Sequence, residues 1–333
     1  MNWLIGQSHT FPTTIYVRAN NRGQIQISRL TEHEKLTTAQ LKDLSNEILL
    51  QRKLRSTHIV RILGSKVVGS RICVDTEYCQ FGSISDIISA HFQHGLDLQA
   101  VSLIARGVAL GLDYLHSNEI VHRSLRGSHI LVNSKGVVKL SGFRYSIDLT
   151  RQREKKKSFK YVYDPEGLPW LAPEILEQNC CGFGLLSDMY SFGIVLCELL
   201  NGIVPFSNNP ATLIMLDKLR GRQPVVMDKS TMEDVENAYQ DPVYEPYVTR
   251  KIPKVWHLLV SSLTTRAPEK RLTAKAFLRN NGLKFTQGTL VEKLLPVQAM
   301  TLNHLRNNDP DYFPITDEIR EPSFEQAKWI FSN

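Results

Sequence analysis

Between positions 121 and 144 the chain gathers side chains suited to meeting phosphate: Arg126, His129 and Arg144, with Ser124 among them. Such cations neutralise phosphate oxygens through charge-assisted hydrogen bonds and need no metal to do so. The same stretch is poor in groups that move a proton. The Ser124 hydroxyl is a weak base near neutral pH, and Asp148 and Glu154 lie further along the chain. Two other sets stand apart. Glu174 and Arg271 are a carboxylate and a guanidinium able to join in a bidentate contact. Asp188 opens an apolar helical stretch, where an N-cap would sit. Near the end, Trp329 and Phe331 flank Ile330, an aromatic pair of the kind that fills paired pockets on a partner.

A chain of 333 residues must carry these groups, and at roughly 100–200 residues per domain it makes two domains or two large lobes. Hydrophobic residues at 42% and charged residues at 22% supply a sizeable core and argue against global disorder. Forty Lys and Arg against 33 Asp and Glu leave a net charge of +7. The dense basic run Lys155-Lys156-Lys157 lacks the interleaved aromatics of a base-stacking surface, so nucleic acid is not an expected partner. No membrane association is expected either: the apolar run 192–200 is interrupted by Glu198 and falls short of the roughly 20 residues a spanning helix needs. The first residues show no basic, apolar leader. Five cysteines without a two-residue gap between any pair suit a reducing compartment, and the cytoplasm and nucleus are the expected location.

Residues 15–18 and 24–27 alternate around Asn20-Asn21-Arg22-Gly23, which predicts a β-hairpin. Leu41, Leu44, Ile48 and Leu49 fall at helical spacing and predict a helix ending near Leu54. Residues 59–62 and 71–76 read as two more strands. From Ser83 the helical period dominates, with long helices over 98–116 and 188–200 and a short β pair at 130–132 and 137–140. Residues 76–83 are a candidate hinge. The fold class is therefore α+β, with a small antiparallel sheet lobe carrying one helix and a larger, mainly helical lobe. Pro296, Pro310, Pro314 and Pro322 break up the end, which reads as an extended tail.

Taken in order, Val121-His122-Arg123-Ser124, Leu140-Ser141-Gly142-Phe143-Arg144, Ala172-Pro173-Glu174, Asp188-Met189-Tyr190-Ser191-Phe192-Gly193, Val204-Pro205-Phe206 and Pro268-Glu269-Lys270-Arg271 resemble the motifs of protein kinases. The resemblance covers about residues 1–285. It implies a bilobal kinase-like domain, with an N-lobe over about 1–79 and a C-lobe over about 80–285, followed by a tail over 286–333. It implies that Glu174 and Arg271 tie the activation segment to the helical lobe and that Asp188 anchors the catalytic-loop backbone. Thr76 becomes the gatekeeper, and backbone groups of Glu77 and Cys79 hold adenine.

The departures from that pattern decide the function. Ser124 stands where the catalytic Asp belongs, His129 replaces the metal-binding Asn and Gly142 replaces the metal-binding Asp. Ser28 falls where the V-A-I-K motif has its Lys. Arg29 is one residue off, expected on the other face of its strand, and Glu47 remains on the helix without its lysine. No carboxylate is left to hold magnesium, and the chain reads as a pseudokinase rather than an enzyme.

The wording of His122-Arg123-Ser124-Leu125-Arg126-Gly127-Ser128-His129, of Leu168-Pro169-Trp170-Leu171 and of Asn201-Gly202-Ile203-Val204-Pro205-Phe206 resembles the STRAD adaptor pseudokinases of the STE20-like group. That resemblance implies an allosteric adaptor that, with the calcium-binding protein 39 scaffold, binds serine/threonine-protein kinase 11 and holds it in its active conformation. Trp329 and Phe331 then occupy the place of the family's Trp-Glu-Phe scaffold-docking sequence, with Ile330 in place of Glu. The activation segment, about 145–173, is the expected client contact. A bound ATP would be met by Arg126, His129 and Arg144 and would require no magnesium. Two other readings share these features: a kinase with displaced catalytic groups, and a nucleotide-sensing scaffold for a different client.

Overall fold

The computed structural model describes residues 2–8, 12–19, 24–150, 165–177, 184–232, 244–280 and 290, and the chain divides into two compact units. The first takes Ile59–Gln80 and the described residues up to Arg55; the second takes Ser56–His58 and the described residues from Phe81 onward.

In the first unit, β1 (Asn2–Ser8), β2 (Thr13–Ala19), β3 (Ile25–Glu32), β4 (Ile62–Val68) and β5 (Arg71–Glu77) form an antiparallel sheet in the order β1-β2-β3-β5-β4. Its helix, α1 (Thr38–Gln51), is set by a capping box: the Gln40 amide donates to Thr37 Oγ1 at 3.3 Å, and the Thr37 amide donates to Gln40 Oε1 at 2.9 Å. Of the apolar stripe read from the sequence, Leu41, Leu44 and Ile48 of α1 pack with Ile72 and Val74 of β5, whereas Leu49 is 40% exposed, off the buried face.

Two boundaries differ from the sequence expectation. The helix stops at Gln51, and residues 52–54 close by tighter i→i−3 bonds such as Leu54 N–H to Gln51 O at 3.2 Å. The strand expected at 59–62 instead begins at Ile62. Ahead of it, the Gln51 side chain donates to the Val60 carbonyl at 2.6 Å, so that carbonyl is held by the helix rather than by a ladder.

Register fixes which side chains share a face. In the β3–β5 pairing Ile27 lies opposite Thr76, Arg29 opposite Val74, and Thr31 opposite Ile72. Directly paired residues of antiparallel strands stand on the same side, so Arg29 is on the side of the sheet that α1 covers. Ser28, opposite Asp75, is on the other.

The second unit holds the remaining elements. Its sheets are small: β6 (Gly82–Ser83), β8 (Ile130–Val132) and β9 (Val138–Leu140) pair in the order β6-β8-β9, while β7 (Ile120–Val121) pairs with β10 (Ile147–Asp148). The β8–β9 pair is the one read from the sequence. The connection expected over 76–83 shortens to residues 78–81, because β5 runs to Glu77 and β6 begins at Gly82.

Helices make up the rest of this unit: α2 (Ile84–His91), α3 (Leu98–Ser117), α4 (Pro173–Leu176), α5 (Leu185–Asn201), α6 (Ala211–Leu219), α7 (Lys229–Met232), α8 (Glu245–Val248), α9 (Lys254–Leu263) and α10 (Ala274–Leu278). Asp97 caps α3 by accepting from the Gln99 and Ala100 amides at 2.8 and 3.0 Å. By length and composition α3 would suit a membrane, but Val101, Ile104, Val108 and Leu112 are fully buried in this unit, which accounts for its apolarity. Every residue of α5 from Ser187 to Asn201 is buried. That helix is the core against which the functional loops are placed. The turn at 20–23, the run 155–157, and Trp329 and Phe331 lie outside the described residues.

Candidate functional site

The hairpin of β8 and β9 brings the 3₁₀ turn Gly127–His129 against the residues that follow Leu140. The His129 carbonyl accepts from the Ser141 amide at 2.8 Å and from the Ser141 hydroxyl at 3.0 Å. The His129 ring turns back on its own loop, with Nδ1 2.6 Å from the Ser124 carbonyl and 3.3 Å from Ser124 Oγ. A carbonyl only accepts, so Nδ1 carries the proton. Gly142 is left-handed, with φ of 81°. A Cβ at this position would lie 2.5 Å from Cγ and Nδ1 of His129. The imidazole thus fills the space where a side chain at 142 would begin. Arg126 precedes the turn that holds His129, and Arg144 lies in the turn Phe143–Tyr145 beside Gly142.

Behind these loops Asp188 is 1% exposed. It accepts from the backbone amides of His122 and Arg123 at 2.8 and 2.9 Å and contacts His116 Nε2 at 3.0 Å. It is not the N-cap that its place at the start of an apolar run suggested. Helix α5 begins one turn earlier, where the Gly184 amide donates to Ser187 Oγ at 3.2 Å. The pull of Asp188 on the Arg123 amide accompanies an uncommon backbone at Arg123, with φ of 66°. His122 is fully buried, and burial pushes its pKa down. Its Nε2 donates to the Ser141 carbonyl at 2.8 Å and its Nδ1 accepts from the Ser124 amide at 3.3 Å, a neutral tautomer. The ring meets Phe143 edge-on, centroids 4.9 Å apart.

In the sheet unit the expectation for Arg29 and Glu47 is overturned. Arg29 donates to Glu47 Oε1 at 2.8 Å, and Glu47 is 1% exposed. Alternation was read from the wrong starting residue: the register puts Arg29, not Ser28, on the side of Thr76 and α1. Ser28 instead donates to Asp75 Oδ1 at 2.6 Å, while Arg18 donates to Asp75 Oδ2 at 2.6 Å. Thr76 and Cys79 are buried, and Glu77 accepts from the Arg61 amide at 2.7 Å.

Glu174 and Arg271 meet in a bidentate pair, both N···O distances 2.7 Å. The other three N–H groups of the guanidinium donate to the carbonyls of Thr265, Leu186 and Arg266 at 2.7, 3.0 and 2.9 Å. All five donors are satisfied. Immediately upstream, residues 168–171 are pinned by side chains that the sequence reading missed. Lys218 of α6 is fully buried and donates to the Pro169 and Leu171 carbonyls at 2.5 and 2.7 Å. Ser191 of α5 donates to the Trp170 carbonyl at 2.8 Å. Burial pushes the Lys218 pKa well below the usual lysine range. A signal was present, since Lys218 lies four residues after Ile214 on the buried face of α6.

A two-unit architecture with an Asp-anchored loop, a buried Glu–Arg tie and a cation–Glu pair under the sheet defines a protein kinase domain, and the sequence profile of that domain matches residues 6–281. Within it, the chain is 30% identical to STE20-related kinase adapter protein alpha of Gallus gallus over 319 residues, 86% of this chain and 82% of the chicken protein. It is 31% identical to STE20-related kinase adapter protein beta of Homo sapiens over 358 residues, 98% of this chain and 85% of the relative. The match to the rat alpha protein is 33% over 231 residues and spans 59% of that protein's length. The chain belongs to the STE20-related kinase adapter family.

Proposed function

We propose that this chain is a catalytically inactive adaptor that binds serine/threonine-protein kinase 11 together with the calcium-binding protein 39 scaffold and favours the client's active conformation. The interlock of His129 and Gly142 carries the inactive half of this reading. Phosphoryl transfer requires metal ligands and a group that orients the nucleophile, and here an imidazole excludes any side chain at 142 while Ser124 supplies only a hydroxyl.

An adaptor activates only by binding one state of its client better than the other. The Arg29–Glu47 pair stands where active kinases require a Lys–Glu pair, and His122 packs on Phe143. Each supports active-like contacts within its own unit, and the client is proposed to meet the chain along 145–173. ATP held without magnesium belongs to the same proposal. The sheet unit fits a phosphate ligand in one respect: Arg29 Nε is buried without a hydrogen bond. The helical unit would contribute Arg126, His129 and Arg144, and Thr76, Glu77 and Cys79 would meet the base. ATP then supplies binding energy and no reaction.

Purified chain with radiolabelled ATP and magnesium or manganese should incorporate nothing, and adding chain plus scaffold to the client should raise the client's activity on a peptide. Incorporation by client-free chain overturns the first half, and an unchanged client overturns the second. For the nucleotide, thermal stabilisation by ATP should persist in EDTA and be lost in Arg144→Ala.

A further inference from the structure

Three consecutive carbonyls, those of Pro169, Trp170 and Leu171, all accept from helix side chains. Lys218 Nζ of α6 donates to the first and third at 2.5 and 2.7 Å, and Ser191 Oγ of α5 donates to the middle one at 2.8 Å. A hydrogen bond sets the direction in which its carbonyl points. Lys218 is 0% exposed and Ser191 8%, so these carbonyls point into the helical unit. The backbone keeps little else to offer a partner. Pro169 has no N–H, and the Leu171 amide donates to the Leu168 carbonyl at 3.3 Å.

The same lysine is joined to the buried Glu174–Arg271 tie. Its Nζ lies 4.9 Å from the centroid of the Tyr190 ring, and the Arg271 guanidinium lies 5.1 Å from that centroid. One ring of α5 thus serves both holds. Leu168 and Leu171 add an apolar anchorage, buried in a cluster with Tyr190, Ile194 and Ile214. Between Gly167 and Ile175 only Pro169 and Trp170 are partly exposed.

We propose that Lys218 is a positioning residue for partner docking: by drawing the Pro169 and Leu171 carbonyls inward it makes Pro169 and Trp170 a surface read through side chains, one that fits an apolar pocket on a folded partner and excludes an extended peptide. An extended peptide adds to a chain edge through main-chain N–H and C=O groups. Here the carbonyls are turned away and the proline has no hydrogen to give. Tryptophan is the kind of residue that anchors an interface, and a segment already fixed in place costs little further ordering on binding. That the folded partner is the client kinase rests on the adaptor reading; the inward hold does not.

Amide hydrogen exchange on the full chain tests the hold, read as the protection of Leu171 relative to that of Leu196 in the core of α5. Lys218→Met keeps the length and removes the donors, and should lower this ratio about ten-fold for two lost hydrogen bonds. Ser191→Ala should lower it about three-fold for one, and decides the matter if the methionine variant does not fold. An unchanged ratio overturns the proposal. So does an equal fall at both leucines, because Lys218 would then support the whole fold and not the segment. Titration of the client kinase with chain and scaffold tests the surface. Trp170→Ala should weaken association at least about ten-fold, and Lys218→Met should weaken it too although the lysine is wholly buried. Full affinity in either variant overturns the docking role. A client that ignores the wild-type chain overturns the adaptor reading, and the exchange ratio then still decides the hold.

Discussion

The Glu174–Arg271 cluster and the His129–Gly142 pair both join stretches of the helical unit that lie apart in sequence, and they do so by opposite means. In the first, a guanidinium has all five donors matched to acceptors and is closed off from water. In the second, a ring fills a volume and its proton serves its own loop through the Ser124 carbonyl. The first region is held by charge and direction, the second by shape. A kinase framework thus keeps its tie at the end of the activation segment, while the partly buried loop that would face metal has its space at 142 taken by the His129 ring.

The sharpest way to break this contrast is Arg271→Ala, which leaves Glu174 buried without its partner and should destabilise the protein by about 3–5 kcal/mol in urea unfolding. Arg271→Lys should recover only part, because lysine lacks the planar fork. Arg29→Ala comes next, at about 2–3 kcal/mol, since Glu47 is left buried and charged. A neutral result there would remove Glu47 from the set of framework contacts. Trp329→Ala or Phe331→Ala should weaken scaffold binding by about 2 kcal/mol in calorimetric titration and leave the unfolding midpoint in place, which isolates docking from both clusters. The smallest effect is expected at the packed loop. Gly142→Asp should be destabilising by about 1–2 kcal/mol through overpacking. His129→Asn should relieve much of that in a double-mutant cycle, and neither single variant should transfer phosphate.

The sequence carried the kinase order of motifs and the small sheet with one helix, because those depend on residue type and spacing, while the pairing of Glu174 with Arg271, 97 residues apart, was implied by the resemblance to kinases. Arg29 was misplaced for a physical reason: side chains alternate along a strand, so a one-residue slip in register exchanges the two faces, and only the pairing of Ile27 with Thr76 settles it. Asp188 anchors the His122 and Arg123 amides as the kinase resemblance implied, and only its reading as an N-cap fails, because the sequence shows where an apolar run begins but not that Gly184 and Ser187 start the helix a turn earlier. Lys218 and Glu198 were passed over because a lone charge within an apolar run gives no sign of the carbonyls or hydroxyl that will meet it. Those partners lie 47 to 113 residues away.

The crowding of His129 against Gly142 also sets the routes by which this chain could change. An aspartate at 142 meets the imidazole, and a small residue at 129 opens a void beside a bare glycine, so each single step towards a metal site disturbs the packing that both steps together would accommodate. Ser124 adds a third change that is worth nothing until the other two are made. The packing is in that sense a lock, one ring in one small space, that no single substitution opens.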